Sequence, residues 1–224
     1  MEDFTIRAIA HARTPWKSKF GVPRQPGLIA QAIGEVCFQD EFAGEEARRG
    51  LEGFSHLWVS FVFDQVPEGE TRLRVRPPRL GGNEMMGVFA TRSPFRPNRL
   101  GLSVCEIAEV FPNLLLRGVD LVDGTPIVDI RPYIPYVESI PSAVGGFANE
   151  EPERIAMHVA REIRPLWDAL TAEQQALIRG MIELDPRPAY QRQEGRQYQV
   201  EVGELRIGWK VVEGVALLTL LEDA

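Results

Sequence analysis

Seven arginines, Arg72, Arg74, Arg76, Arg79, Arg92, Arg96 and Arg99, lie between Thr71 and Gly101, and Glu84 is the only acid among them. The guanidinium is a planar fork of donors that suits phosphate and stacks on bases. The chain as a whole is acidic, with 25 Lys and Arg against 32 Asp and Glu. Such a chain is a poor non-specific ligand for nucleic acid. By charge alone, solvated arginines on strand edges are the ordinary reading. The local concentration is what keeps an anionic partner open.

Four segments carry residues that could do chemistry. The first, Lys19 to Gly27, holds Arg24 and Gln25 between Pro23, Pro26 and two glycines. A stiff loop presents polar groups at low entropic cost. The second runs Phe54-Ser55-His56-Leu57-Trp58 and ends in Asp64-Gln65. There His56 reads as a satisfied core histidine before a catalytic one, and Asp64 and Gln65 fall where a strand opens to a pocket mouth. The third, Gly87 to Gly101, is a strand leading into a loop with Pro94, Pro97, Ser93, Asn98 and three arginines. It is rigid, cationic and rich in donors, which is the make-up of a binding loop. The fourth, Asp120 to Tyr133, contains the Asp123-Gly124 turn signal and places Asp129 and Arg131 on one face of a short strand.

Several chemistries lack their residues. No GxGxxG follows a strand, no Walker lysine is present and no GxSxG occurs. Cys37 and Cys105 sit in apolar runs, and there are three scattered histidines. Neither a disulfide scaffold nor a metal site is expected. No apolar run approaches the roughly 20 residues of a membrane span. Met1-Glu2-Asp3 does not open a signal peptide, so the expected location is the cytoplasm.

The elements that must position these segments are mostly strands. Residues 4–10, 33–38, 56–66, 73–76, 87–91, 102–110, 113–122 and 127–131 read as strands or short apolar runs, with one short helix over 42–51. Little helix lies between them, which predicts a mostly antiparallel barrel or sandwich rather than a βαβ nucleotide fold. After Pro141 the pattern changes. The apolar spacing of Ile155, Val159, Ile163, Leu166, Trp167 and Leu170 predicts a helix over 153–170. Thr171 and Gln174 form a capping box for a second helix to about Leu184, and a three-stranded meander follows. The expected division is a β core, 1–142, and a smaller α+β appendage, 143–224.

The strings PRQPG, FSHLW, GVFATRSPFRPNRLGLS and DLVDGTPIVDIRPYIPY resemble the TsaA/TrmO-like family. LDPRPAY at 184–190 resembles its longer bacterial members. The resemblance implies a mainly β protein with an antiparallel β-barrel core, unlike the Rossmann-type methyltransferases, and a C-terminal α+β subdomain. It implies an S-adenosylmethionine-dependent enzyme that methylates the exocyclic N6 of threonylcarbamoyl-adenosine, beside the anticodon of threonine tRNA, and that forms a homodimer. It also implies a cofactor site gathering Pro26, Gly27 and Leu28, then Asp64 and Gln65, then Arg92, Leu102 and Asp123, Gly124, Thr125 and Pro126.

The implied acceptor nitrogen belongs to a urea. Its lone pair is delocalised, so a neighbouring base or hydrogen-bond acceptor helps. Tyr133, Asp129 and His11 are the candidates, beside the alternative that positioning alone suffices. Arg74, Arg76, Arg96 and Arg99 are expected on phosphate or on the threonine carboxylate, with Phe95 stacking on a base. Arg187 and Tyr190 are further candidates for RNA contact, although acids outnumber bases in the appendage. Other classes are a cofactor-binding protein or methyltransferase with a non-tRNA acceptor, and a non-enzymatic RNA-binding β module.

Overall fold

The computed structural model describes residues 4–187 and 193–224. The elements run β1 (Ala10–Arg13), β2 (Ile33–Phe38), α1 (Glu45–Arg48), β3 (His56–Val62), β4 (Arg74–Val75), β5 (Met86–Gly87), β6 (Leu100–Glu109), β7 (Leu114–Arg117) and β8 (Pro126–Pro132). Then come α2 (Pro135–Glu138), β9 (Met157–Val159), α3 (Arg164–Asp168), α4 (Ala172–Glu183), β10 (Gln197–Val202), β11 (Leu205–Val212) and β12 (Val215–Asp223). The protein is mainly β. Among the described residues no helix is long and apolar enough to cross a membrane.

Six strands pair in the order β1-β2-β7-β6-β3-β8, and β8 pairs back onto β1. Alternation along β3 turns Leu57, Val59 and Phe61 inward and leaves His56, Trp58 and Ser60 on the outer face. The second sheet runs β10-β11-β12-β9, with β9 parallel to β12. One apolar core joins the two sheets: Trp16, Leu57, Leu114 and Ile127 belong to the same cluster as Ile182, Ile207, Trp209 and Leu218.

Three expectations are corrected. Residues 4–9 are not a strand; the pairing starts at Ala10. Past Gly87 the chain tightens into a 3₁₀ turn, Val88–Ala90, instead of continuing as a strand. The helix over 153–170 is replaced by β9, a 3₁₀ turn and α3. Met157 and Val159 alternate buried about exposed His158, and the free edge of β12 supplies the partner. Pairing with a sheet edge overrides a helical spacing that Pro165 already interrupts. The Thr171 capping box forms as expected: Thr171 Oγ1 accepts from Gln174 N at 3.2 Å, and Gln174 Oε1 accepts from Thr171 N at 2.9 Å.

Candidate cofactor and RNA site

Chain order scatters the four segments, and the fold gathers much of them at one end of the closed sheet. Because β3 and β8 are antiparallel, the end of β3 that leads to Asp64-Gln65 lies beside the start of β8 and the start of β6. Phe63 N donates to Arg99 O at 2.8 Å, which sets the Asp64 turn against the arginine loop. The 19–27 loop closes over the same end. Lys19 Nζ donates to Gln65 O at 2.6 Å, and Arg92 Nη1 donates to Gln25 Oε1. Gly27 N donates to Gly118 O at 2.8 Å, where two backbones approach closely. A Cβ added at Gly118 would sit 2.8 Å from Gly27 Cα, so only glycine fits there.

The Asp123–Pro126 turn is held from within. Asp123 Oδ1 accepts from Thr14 N at 2.8 Å and Oδ2 from Lys17 Nζ at 3.1 Å. Burial opposes its charge, but these two donors outweigh it and hold the carboxyl below the usual carboxylate range. Asp123 thus anchors the turn, and exposed Gly124, at φ +82°, leaves backbone open to a ligand. Leu102 is 52% exposed on the outer face, beside Ser60 and, across it, Asp129.

Asp120 and Ser103 adjoin this end, Cys105 lies two residues further along β6 toward the other end, and none of the three was among the sequence candidates. Ser103 Oγ donates to Asp120 Oδ1 at 2.7 Å. Burial pushes the Asp120 carboxyl up to about 6, against the pull of Ser103 and the charge of Arg92. Burial and Asp120 together push the Cys105 thiol up to about 12, so it is inert as a nucleophile near neutrality. The sequence signal was present: Asp120 opens the DLVDGTP string, and Ser103 interrupts the inward face of β6.

The three acid–base candidates are not brought together. His11 pairs with Pro126 and lies next to the Asp123–Pro126 turn. Asp129 is ion-paired with Arg131. Tyr133 lies past the far end of β8, its ring 6.3 Å from His56 and 6.0 Å from Trp58. His56 Nδ1 meets Ser55 Oγ at 2.8 Å, so the ring has a partner, but it stands half-exposed on the outer face of β3 and not in the core as expected.

The arginines divide. Arg74 and Arg76 are exposed, and their side chains have no hydrogen-bond or ion-pair partner among the described residues. Arg96 Nη1 donates to Thr91 O at 3.3 Å, and Arg99 Nη1 braces the Asp64 turn through Val66 O at 2.8 Å. Phe95 is covered by Arg72, whose Cζ lies 4.0 Å from the ring centroid, whereas Phe89 is 74% exposed. Arg187 is 7% exposed, with Nε 2.6 Å from Asp185 Oδ1 and Nη2 3.0 Å from Oδ2. Its fork is committed to Asp185 rather than turned to solvent. Tyr190 lies outside the described residues.

Residues 11–139 match the model of the tRNA-methyltransferase O N-terminal domain, and residues 152–224 match that of the C-terminal domain. The chain belongs to the tRNA-methyltransferase O family. Over 226 residues it is 45% identical to the tRNA (adenine(37)-N6)-methyltransferase of Escherichia coli (strain K12), covering 95% of each chain. It is 38% identical over 136 residues to an S-adenosyl-L-methionine-binding protein of Archaeoglobus fulgidus, covering 60% of this chain and 93% of that one. The crystal structure of the family member from Pseudomonas aeruginosa superposes with a TM-score of 0.80 at 31% identity, covering 99% of both chains.

Within this family the gathered residues fit S-adenosylmethionine by their chemistry. Its amino-acid and ribose groups need carboxylate, amide and backbone partners, which Asp64, Gln65, Arg92 and the Gly27 and Gly124 turns offer. Its adenine needs an apolar contact, which exposed Leu102 offers.

Proposed function

We propose that the protein methylates N6 of threonylcarbamoyl-adenosine at position 37 of threonine tRNA. It is an S-adenosylmethionine-dependent tRNA (adenine-N6)-methyltransferase. The observation that carries the reading is the convergence of Pro26–Leu28, Asp64-Gln65, Arg92, Leu102 and Asp123–Pro126 on one end of a closed antiparallel sheet, a barrel in this reading. Residues 1–142 are the catalytic unit and 143–224 the C-terminal unit.

Bound S-adenosylmethionine supplies a methyl group on a cationic sulfur, already activated toward a nucleophile. The chain's own work is placement. The Gly27 and Gly124 turns and Arg92 would hold the donor and orient it toward the acceptor nitrogen. Methylation would release a proton from the acceptor nitrogen. His11, next to Pro126, is best placed of the three candidates to take that proton. Asp129 is held by Arg131, and Tyr133 lies at the opposite end of β8.

Arg74 and Arg76, with exposed Leu73 and Phe89 beside them, form the surface for the splayed anticodon loop. Tyr136 is 92% exposed, and Val137, Ile140 and Val144 follow it. An apolar strip of this kind is covered by a second copy in a homodimer. No membrane enters this reading, and the cytoplasm is where the tRNA is found.

Labelled S-adenosylmethionine offered with threonine tRNA, with and without the threonylcarbamoyl group, tests the proposal. Label on the modified tRNA alone is expected. Cofactor binding without transfer to either tRNA would redirect the reading to a non-tRNA acceptor.

A further inference from the structure

The 15–29 segment carries three of the proposed cofactor residues, yet it is seated largely on the C-terminal unit. At its start, Trp16 bridges Val202, and Gly203 N donates to Pro15 O at 2.8 Å. Phe20 stacks on Trp209, with centroids 5.6 Å apart and planes 8° apart, and on Tyr198 at 6.2 Å. Gly21, at φ +97°, packs so closely that an added Cβ would lie 3.0 Å from Met181 Sδ and 3.3 Å from Val200 Cγ2. At its end, Ile29 is buried against Gly180 of α4. Directly beside the cofactor turn, Arg154 Nη2 donates to Leu28 O at 2.8 Å.

Between these anchors the inner edge of the loop touches two of the other proposed cofactor segments, through Lys19 on Gln65 O and Gln25 on Arg92. The loop has no strand or helix of its own. Its geometry is therefore set by what it rests on, and preorganising a binding loop improves affinity by lowering the ordering cost of binding.

We infer that the C-terminal unit is a clamp for the cofactor loop, and that Arg154 is its positioning residue, fixing the Pro26-Gly27-Leu28 turn through the Leu28 carbonyl. The inference rests on the reading that this turn holds S-adenosylmethionine. Arg154 is exposed and outside the core, so its removal does not disturb the fold. Phe20 is a second positioning residue, half-buried at the centre of the stack.

The test uses the full chain. Calorimetry measures the Kd for S-adenosylmethionine of wild type, Arg154→Ala, Arg154→Lys and Phe20→Ala. Hydrogen exchange of the 19–28 amides is followed without ligand, and a thermal scan checks folding. Arg154→Ala is expected to raise Kd and KM for the cofactor about five- to tenfold, the loss of one hydrogen bond. Its kcat at saturating cofactor, KM for tRNA and Tm should stay unchanged, and the 19–28 amides should exchange faster. Arg154→Lys, which keeps a donor, should recover part of the affinity, and Phe20→Ala should show the larger defect. Wild-type affinity and exchange in Arg154→Ala would overturn the clamp while leaving the function intact. A Phe20→Ala protein that loses Tm but binds cofactor normally would overturn it too. Failure of the wild type itself to bind S-adenosylmethionine would instead sink the proposed function, and the clamp with it.

Discussion

Ser103 Oγ donates a 2.7 Å hydrogen bond to Asp120, whose carboxyl burial pushes up to about 6 within reach of the Arg92 charge. A group whose folded pKa lies above its unfolded value makes a contribution that is fully present below the unfolded value and lost as pH rises through the folded one. For Asp120 that window runs from the ordinary 3.8 up to about 6. Asp120→Asn removes the buried charge and keeps an acceptor for Ser103. Unfolding at pH 7.5 should show the variant more stable by about 1–3 kcal/mol, and the difference should vanish near pH 4. Cofactor affinity should fall in the same variant, because Arg92 loses its neighbouring carboxylate. A stability difference unchanged with pH would show that Asp120 does not titrate in this window.

Arg92 links the arginine loop to Gln25, and its charge bears on Asp120. Arg92→Gln should raise the Kd for S-adenosylmethionine by about tenfold or more, near 1.4 kcal/mol, with a smaller effect on Tm. Calorimetry decides this, and an unchanged Kd would remove Arg92 from the cofactor site.

Gly118 needs positive φ, +69°, and leaves no room for a Cβ against Gly27. Gly118→Ala should destabilise the protein by about 1–3 kcal/mol and weaken cofactor binding by displacing the Pro26–Leu28 turn. Denaturant unfolding and a cofactor titration measure the two effects. Loss of stability with intact affinity would show that the turn tolerates displacement.

Exposed and buried arginines should behave differently. Arg74→Ala and Arg76→Ala should each raise KM for tRNA and lower the salt slope of binding by about 0.7, with Tm unchanged. Arg187→Ala breaks the buried ion pair of Arg187 with Asp185. It should cost about 3–5 kcal/mol of stability and leave the salt slope of the folded protein as it was. A wild-type slope in both exposed variants would remove them from the RNA surface.

Phe89 and Phe95 separate two views of base stacking. Phe89 is open to solvent, whereas Phe95 lies beneath Arg72. Phe89→Ala should raise KM for tRNA about fivefold or more, consistent with about 1–3 kcal/mol per stacked base, and Phe89→Tyr should restore it. The reverse pattern, with only Phe95→Ala affecting tRNA, would assign the stacking to Phe95.

Much of this protein could be read from the chain alone, because the signals are local. The β-branched and aromatic run over 56–66 marked a strand, which the structure ends at Val62 with one buried face, and Thr171 with Gln174 marked a helix start. The prolines and glycines around Arg24-Gln25 and Arg92–Arg99 marked rigid loops. What the chain could not show depends on contacts distant in sequence. Met157–Val159 is a strand because β12 offers it an edge, and helical spacing elsewhere in 153–170 could not reveal that partner. Arg187 and Arg74 are the same residue type near polar neighbours, yet packing buries one against Asp185 and leaves the other in solvent. Asp120 gained its raised pKa only when folding withdrew it from water beside Ser103. Sequence determined which segments carry chemistry, since residue type and local stiffness are written in order along the chain. Tertiary structure decided which segments meet, since closure of β8 onto β1 and the seating of Phe20 on Trp209 are long-range packing events.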